Sequence, residues 1–321
     1  MDFRFFNPIR KELKMVERNL VASIDTELPI LEQASTHLLK AGGKRLRPAF
    51  ALLAAKLYND SLDKVIPVAV ALELIHMASL VHDDVIDNSS TRRGAATVKS
   101  KWGNRVSIYA GDYILAKSLH LVAQYNRSDI VDVLALASMK ICEGEIIQML
   151  SCYNVKQSFK DYLRRIERKT ALLISVSCQL GGMVSNAPDR EIVVLTKYGY
   201  YLGMAFQVTD DILDFTADEK TLGKPVGSDI RQGVITLPAL YALKYDSRRE
   251  ELEMLLASPE LCISKADTII DIVTKSQGID YAYDVSRRYA EKAQHQLSLL
   301  PVAPVTKTLS EITDFILTRK F

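Results

Sequence analysis

Residues 65–87 read VIPVAVALELIHMASLVHDDVID. Val68, Val70, Leu72, Leu74, Ile75, Met77, Leu80 and Val81 leave almost no polar face, so the spacing predicts a helix buried all round rather than one lying on a surface. The stretch ends in Asp83-Asp84-Val85-Ile86-Asp87. Residues 196–215, with Tyr198, Tyr201, Met204, Phe206 and Val208, form a counterpart that ends in Asp210-Asp211-Ile212-Leu213-Asp214. On a helix, residues three and four apart share a face, so each cluster stacks its carboxylates within one turn. A single D-D-x-x-D could be a solvated helix end. Two copies in apolar surroundings would bury too many like charges without cations. The donors are all oxygen, with no Cys or His in the pattern, which points to a hard metal, Mg²⁺ or Mn²⁺. Mg²⁺ held by a few carboxylates usually completes its shell with substrate phosphates.

The rest of the chain follows the helical period. Apolar residues recur at helical spacing over Leu13–Leu31, Pro48–Leu57, Val65–Asp87, Val106–Gln124, Ile130–Met149, Phe159–Gly181, Glu191–Phe215, Thr236–Tyr245, Ala266–Thr274 and Ile279–Leu300. Gly42-Gly43, Pro48, Gly94, Pro188, Gly223 to Gly227, Pro259, Pro301 and Pro304 punctuate them. No low-complexity linker or 20–50-residue repeat divides the chain. The expectation is one all-α domain over residues 1–321, a large bundle whose central helices aim both aspartate clusters into one cavity.

Composition narrows the function. Hydrophobic residues make up 48% of 321, enough for an extensive core, and a net charge of +2 gives no case for nucleic acid. Cys142, Cys152, Cys178 and Cys262 lack metal-binding spacing and read as core thiols in a reducing compartment. Met1–Arg10 has no signal-peptide core, and the uncharged stretch Thr170–Pro188 is too polar for a membrane span. A cytoplasmic protein is expected. No amphipathic basic helix stands out, so membrane contact would be at most peripheral.

Cations cluster locally. Gly42-Gly43-Lys44-Arg45-Leu46-Arg47-Pro48 is a glycine turn with three cations, and glycine lets backbone approach an anion that Lys and Arg pair with. Arg92-Arg93-Gly94 follows the first aspartate cluster, Lys169-Thr170 lies mid-chain, and Lys224 follows the second cluster. His76 sits two turns before Asp83 on the same face. Taken singly, Arg92 and Arg93 could be surface charges and His76 a core histidine. Together with two acidic clusters they suggest two diphosphate sites, one bound through metal and one bound directly.

The runs GGKRLRP, DDVID followed by RRG, KT, FQVTDDILDF and LGKPVGSD resemble the trans-type polyprenyl diphosphate synthases, from about Leu31 to Tyr241. Within that family the likeness is to the large catalytic subunits of two-component enzymes that make heptaprenyl diphosphate. The resemblance implies that Asp83, Asp84, Asp87, Asp210, Asp211 and Asp214 hold Mg²⁺ bridging an allylic diphosphate. It implies that Arg92, Lys169 and Lys224 bind that same diphosphate, and that Lys44, Arg47, His76 and Arg93 hold isopentenyl diphosphate. Lys169, Thr170 and Gln207 would line the reacting carbon. The chemistry it implies is ionisation of the allylic C–O bond, attack by the isopentenyl double bond in a 1'-4 sense, and proton removal by the departed diphosphate.

Two local features refine this. Ala78 and Ser79, five and four residues before Asp83, are small, and Ile75 one turn deeper is of medium size. A bulky aromatic there would floor the channel for the growing tail, so these residues favour a product beyond C15–C20; close helix packing is the alternative use of small side chains. Many family members read G-K-x-T-L-P where this chain has Gly233-Val234-Ile235-Thr236-Leu237-Pro238. Val234 thus replaces a cation at the allylic diphosphate. The resembling catalytic subunits share that loss and need a small partner subunit; the alternative is a self-sufficient homodimer making hexa- to octaprenyl chains. A terpene cyclase would lack the second aspartate cluster and have no use for GGKRLRP. A non-catalytic subunit would have lost aspartates.

Overall fold

The computed structural model describes residues 3–217 and 226–318, and it is all-α apart from one two-residue hairpin. After a 3-10 turn, Phe3–Ile9, come α1 (Arg10–Ala22), α2 (Pro29–Lys40), α3 (Leu46–Lys56), α4 (Ile66–Ile86), α5 (Val98–Ala123), α6 (Ser128–Ser151), α7 (Phe159–Ile166), α8 (Leu172–Val184) and α9 (Asp189–Thr216). Shorter helices follow, then two longer ones, Gly278–Leu297 and Pro304–Thr318.

The apolar run sets the centre as expected. In α4, Val68, Leu72, Leu74 and Met77 are wholly buried. Each such side chain contributes roughly 1.5–3 kcal/mol by leaving water. Among the described residues α4 is the one helix long and apolar enough to cross a membrane, and its burial within the bundle accounts for that composition. It packs along α5, while α9 packs against α8 and Gly278–Leu297.

Several boundaries differ from the periodic reading. Leu13–Leu31 is two helices, because Leu28 takes an extended conformation (φ −96°, ψ 104°) ahead of Pro29, which opens α2. The helix expected from Val106 follows a break at Gly103 (φ 79°, ψ 170°), and a short helical segment from Val98, where the Thr97 hydroxyl accepts the Ser100 N–H, precedes it. Phe159–Gly181 is interrupted by a π-turn, Glu167–Ala171, in which the Leu172 N–H reaches back to the Glu167 carbonyl. Such wide turns often occur at functional sites, and this one carries Lys169 and Thr170. The core-thiol expectation holds for Cys178 and Cys262 only. Cys142 is exposed and Cys152 partly buried, because both lie on α6 or its end, away from the packed interior.

Candidate active site

Both aspartate clusters fall in the last turns of long helices, α4 and α9. Helix C-termini carry the negative end of the macrodipole, so the placement adds to the mutual repulsion of the carboxylates. Burial does the same. Burial, then Glu145, push the Asp83 pKa up to about 7, with Lys169 opposing. Burial, then Asp229, push Asp211 up to about 8 against hydrogen bonds from Gln207 and Tyr162. Burial also raises Asp84, against the pull of Arg92.

These carboxyls are therefore poised to gain protons or cations. No three His, Cys, Asp or Glu side chains among the described residues converge tightly enough to hold a metal alone. The all-oxygen donors of each cluster are of the kind that suits a partial Mg²⁺ shell completed by ligand oxygens. The sign of the pH effect follows. In the unfolded chain these carboxyls ionise near the ordinary aspartate value of 3.8, while the folded protein keeps Asp83 and Asp211 protonated up to about 7 and 8. Between those values the folded state binds more protons, so stability falls as pH rises. We predict that the metal-free protein melts several degrees lower at pH 8.5 than at pH 5.5. Mg²⁺ should raise the melting temperature more at the higher pH. A melting temperature flat in pH and insensitive to Mg²⁺ would contradict this reading.

Around these clusters lie two cavities. The smaller, about 110 Å³, is lined by Asp87 of the first cluster and Asp211 of the second, with Gln148, Arg165, Lys169, Gln207, Asp229 and Val234. One carboxylate from each cluster thus faces the same space, while Asp210 faces the larger cavity. Here Lys169 Nζ donates to Glu145 Oε2 at 3.2 Å and to Gln148 Oε1 at 3.0 Å. The Tyr162 hydroxyl and the Gln207 amide each donate to Asp211 at 2.7 Å. Thr170 Oγ1 donates to Gln207 Oε1 at 2.6 Å, so these two polar groups stand together where α9 meets the π-turn. Gly203 permits that contact, since a Cβ there would lie 2.5 Å from Ala171 Cα.

The larger cavity, about 680 Å³, is lined by Lys44, Arg47, His76, Arg92, Arg93, Thr170, Gln207 and Asp210, among others. Burial, followed by Arg47, Arg93, Arg92 and Arg45, pushes the His76 pKa well down, so its ring is neutral at pH 7. Burial lowers Arg47 to about 10, with Glu73 opposing, and it remains a cation. Arg93 takes a left-handed conformation (φ 53°) followed by Gly94 (φ 76°) at the tip of the hairpin Thr91–Arg92 with Ala95–Ala96. That turn brings Arg93 Nη1 onto the Gly42 carbonyl. Arg92 Nε donates to Asp84 Oδ1 at 2.6 Å, which ties this cavity to the first cluster. Gln207 lines both cavities. Lys224, also expected at the site, lies outside the described residues.

Sequence reasoning missed several groups. Arg45 was grouped with Lys44 and Arg47, yet it is bound by Glu17, by Glu73 at 3.0 Å and by the Leu39 carbonyl at 3.3 Å. Its φ of 48° turns the side chain away from the direction its neighbours take. Glu73 itself carried a signal, a lone acid in the middle of an apolar helix. Tyr162, Glu145 and Gln148 carried none, because their partners are distant in sequence.

The chain belongs to the polyprenyl synthetase family, whose profile matches residues 28–273. It is a prenyltransferase. At 44% identity over 321 residues, covering 100% of this chain and 91% of the relative, it is similar to heptaprenyl diphosphate synthase component 2 of Bacillus subtilis (strain 168). The protein of the same name from Geobacillus stearothermophilus is 45% identical, with 95% of each chain covered. Among solved structures, heptaprenyl diphosphate synthase from Staphylococcus aureus matches with a TM-score of 0.89 at 38% identity, covering 97% of this chain and 98% of that one. A polyprenyl synthase from Caulobacter crescentus CB15, solved with calcium and isoprenyl diphosphate, matches with a TM-score of 0.93 at 32% identity over 98% and 97%.

Proposed function

We propose that the enzyme condenses isopentenyl diphosphate with an allylic diphosphate, farnesyl diphosphate being the primer of choice, and extends it to heptaprenyl diphosphate for a menaquinone side chain in the cytoplasm. The observation that carries this reading is the pair of cavities meeting at Gln207, one lined by an aspartate from each cluster and one by six cation-capable side chains. A cyclase has one diphosphate to hold and would have no use for the second cavity.

In this reading Lys44, Arg47 and Arg93 neutralise the isopentenyl diphosphate, and His76 donates to it from a neutral ring. Asp83, Asp84 and Asp87, with Asp210, Asp211 and Asp214, would hold Mg²⁺, which Mn²⁺ could replace. Bound there, the ions supply the positive charge that offsets the leaving diphosphate. Arg92 and Lys169 turn to that same diphosphate, exchanging Asp84 and Glu145 for phosphate oxygens, and Lys224 is assigned with them. Thr170 and Gln207 face the reacting carbon with oxygens that stabilise developing cationic charge. The departed diphosphate takes the proton, so no side-chain base is required. Holding both substrates by their charged ends supplies the orientation term.

The partner reading has physical support. On α6, Leu136, Met139, Ile146, Met149 and Leu150 are 53–72% exposed and follow helical spacing on one face. A stripe of that kind marks an interface. The same helix holds Lys169 through Glu145 and Gln148, so docking would be felt at the site. The occupant we favour is a small non-identical subunit; a second copy of this chain is the other outcome. Met139→Glu should abolish the assembly seen by light scattering and cut turnover by about tenfold or more, at unchanged melting temperature. Intact assembly in that variant would remove the stripe from consideration.

The test of function is incubation of the purified chain with farnesyl diphosphate, labelled isopentenyl diphosphate and Mg²⁺. A ladder ending near seven units from the chain alone makes it self-sufficient. Product only after addition of extract from the same source makes it one half of a two-component enzyme. Cyclised hydrocarbon, or no product in either case, overturns the reading.

A further inference from the structure

Val234, which by the family resemblance stands in place of a lysine, lines the cavity between the aspartate clusters. The same cavity is lined by a cation whose local pattern carries no signal. Arg165, on α7, is 3% exposed. Its Nη2 donates to the carbonyl of Ile235, the residue after Val234, at 2.7 Å. Its Nη1 donates to Gln157 Oε1 at 3.3 Å and to Ser151 Oγ at 3.4 Å. The guanidinium lies 5.5 Å from the ring centroid of Tyr162, whose hydroxyl holds Asp211.

Among the described residues no carboxylate is hydrogen-bonded to Arg165, although Asp211 and Asp229 line the same cavity. A buried arginine whose hydrogen bonds all go to neutral acceptors is expensive, because it has lost water and feels Asp211 only across the cavity. The three bonds use three of its five N–H donors. It is thus a fixed cation, braced against the backbone beside Val234, with donors left to offer an anion in the cavity. The contrast with Arg45 is instructive, since that arginine is already paired with Glu17 and Glu73.

We propose that Arg165 supplies the charge missing at Val234 and binds the allylic diphosphate from the α7 side. This rests on the reading that the cavity between the clusters receives that diphosphate. A cation delivered from α7 rather than from the loop before Thr236 leaves the net charge of the site unchanged while altering which backbone segment it stiffens.

The experiment measures the dissociation constants of farnesyl diphosphate with Mg²⁺ and of isopentenyl diphosphate, in the full chain with its assembly intact. Arg165→Gln keeps an amide to meet the Ile235 carbonyl and removes the charge. It should weaken farnesyl diphosphate binding by roughly ten- to a hundredfold, as expected for a lost charge-assisted hydrogen bond, and leave isopentenyl diphosphate binding unchanged. Arg165→Gln combined with Val234→Lys should recover most of the loss, while Val234→Lys alone should tighten binding less than threefold. If Arg165→Gln fails to fold, Arg165→Lys decides: affinity within a few-fold of wild type supports the proposal, and a loss of tenfold or more at normal isopentenyl diphosphate binding overturns it. Unchanged farnesyl diphosphate affinity in Arg165→Gln, or no recovery on adding Val234→Lys, also overturns it. Wild-type protein that fails to bind farnesyl diphosphate with Mg²⁺ would instead defeat the cavity assignment itself.

Discussion

Replacing Asp83 or Asp210 with alanine should abolish turnover, lowering kcat/KM by about 10³-fold or more. The expectation follows from charge. Asp83 stands 9% exposed at the carbonyl end of α4, with its pKa pushed up to about 7, and Asp210 borders the cation-lined cavity next to Gln207. Asp83 does not suit an ionised carboxylate unless a cation joins it. The variants should therefore fold well. Asp83→Ala in particular removes a group that destabilises the metal-free protein at high pH, so its melting temperature at pH 8.5 should match or exceed wild type. Near-normal activity with Mg²⁺ in either variant would contradict the assigned role.

The second large effect concerns product length. Ser79 lies one turn before Asp83 on α4, half-buried, with its hydroxyl bonded to the His76 carbonyl at 2.8 Å. Ala78 and Ile75 beside it are buried at 2% and 3% exposure. If the growing tail descends this face, Ser79→Phe places a ring across its path. The expected result is a product distribution ending at C15–C20, with the first condensation proceeding at close to the normal rate. Overpacking should cost about 1–3 kcal/mol of stability, which a melt would record separately. An unchanged chain-length distribution would mean that Ala78 and Ser79 serve helix packing and that the tail takes another route.

Much of the site could be read from the chain because its chemistry is written in short, local runs. Asp83 to Asp87 and Asp210 to Asp214 announce themselves as charges in an apolar setting, and the period of residues 65–87 fixes the buried central helix that presents the first set. What could not be read depends on backbone geometry. Lys44, Arg45 and Arg47 are equivalent as letters. All three border the larger cavity, but the left-handed turn at Arg45 lets Glu17 and Glu73 engage its guanidinium. The π-turn that carries Lys169 and Thr170 arises from a bond five residues back and leaves no mark in a 3.6-residue period. Arg165 sits next to Arg164 and looks like a solvated charge, yet it is buried because its partners Gln157 and Ile235 come from other segments. The proline at 29 was visible, and its effect on Leu28 could have divided the first long helix correctly.

The central claim is that one diphosphate is bound through metal and the other directly by protein cations. Calorimetric titration of each substrate with and without Mg²⁺ tests it most directly. Isopentenyl diphosphate should bind with similar affinity in Mg²⁺ and in EDTA, through Lys44, Arg47, His76 and Arg93, whereas farnesyl diphosphate should bind measurably only with Mg²⁺. Equal binding of farnesyl diphosphate in EDTA, or loss of isopentenyl diphosphate binding there, would contradict the account.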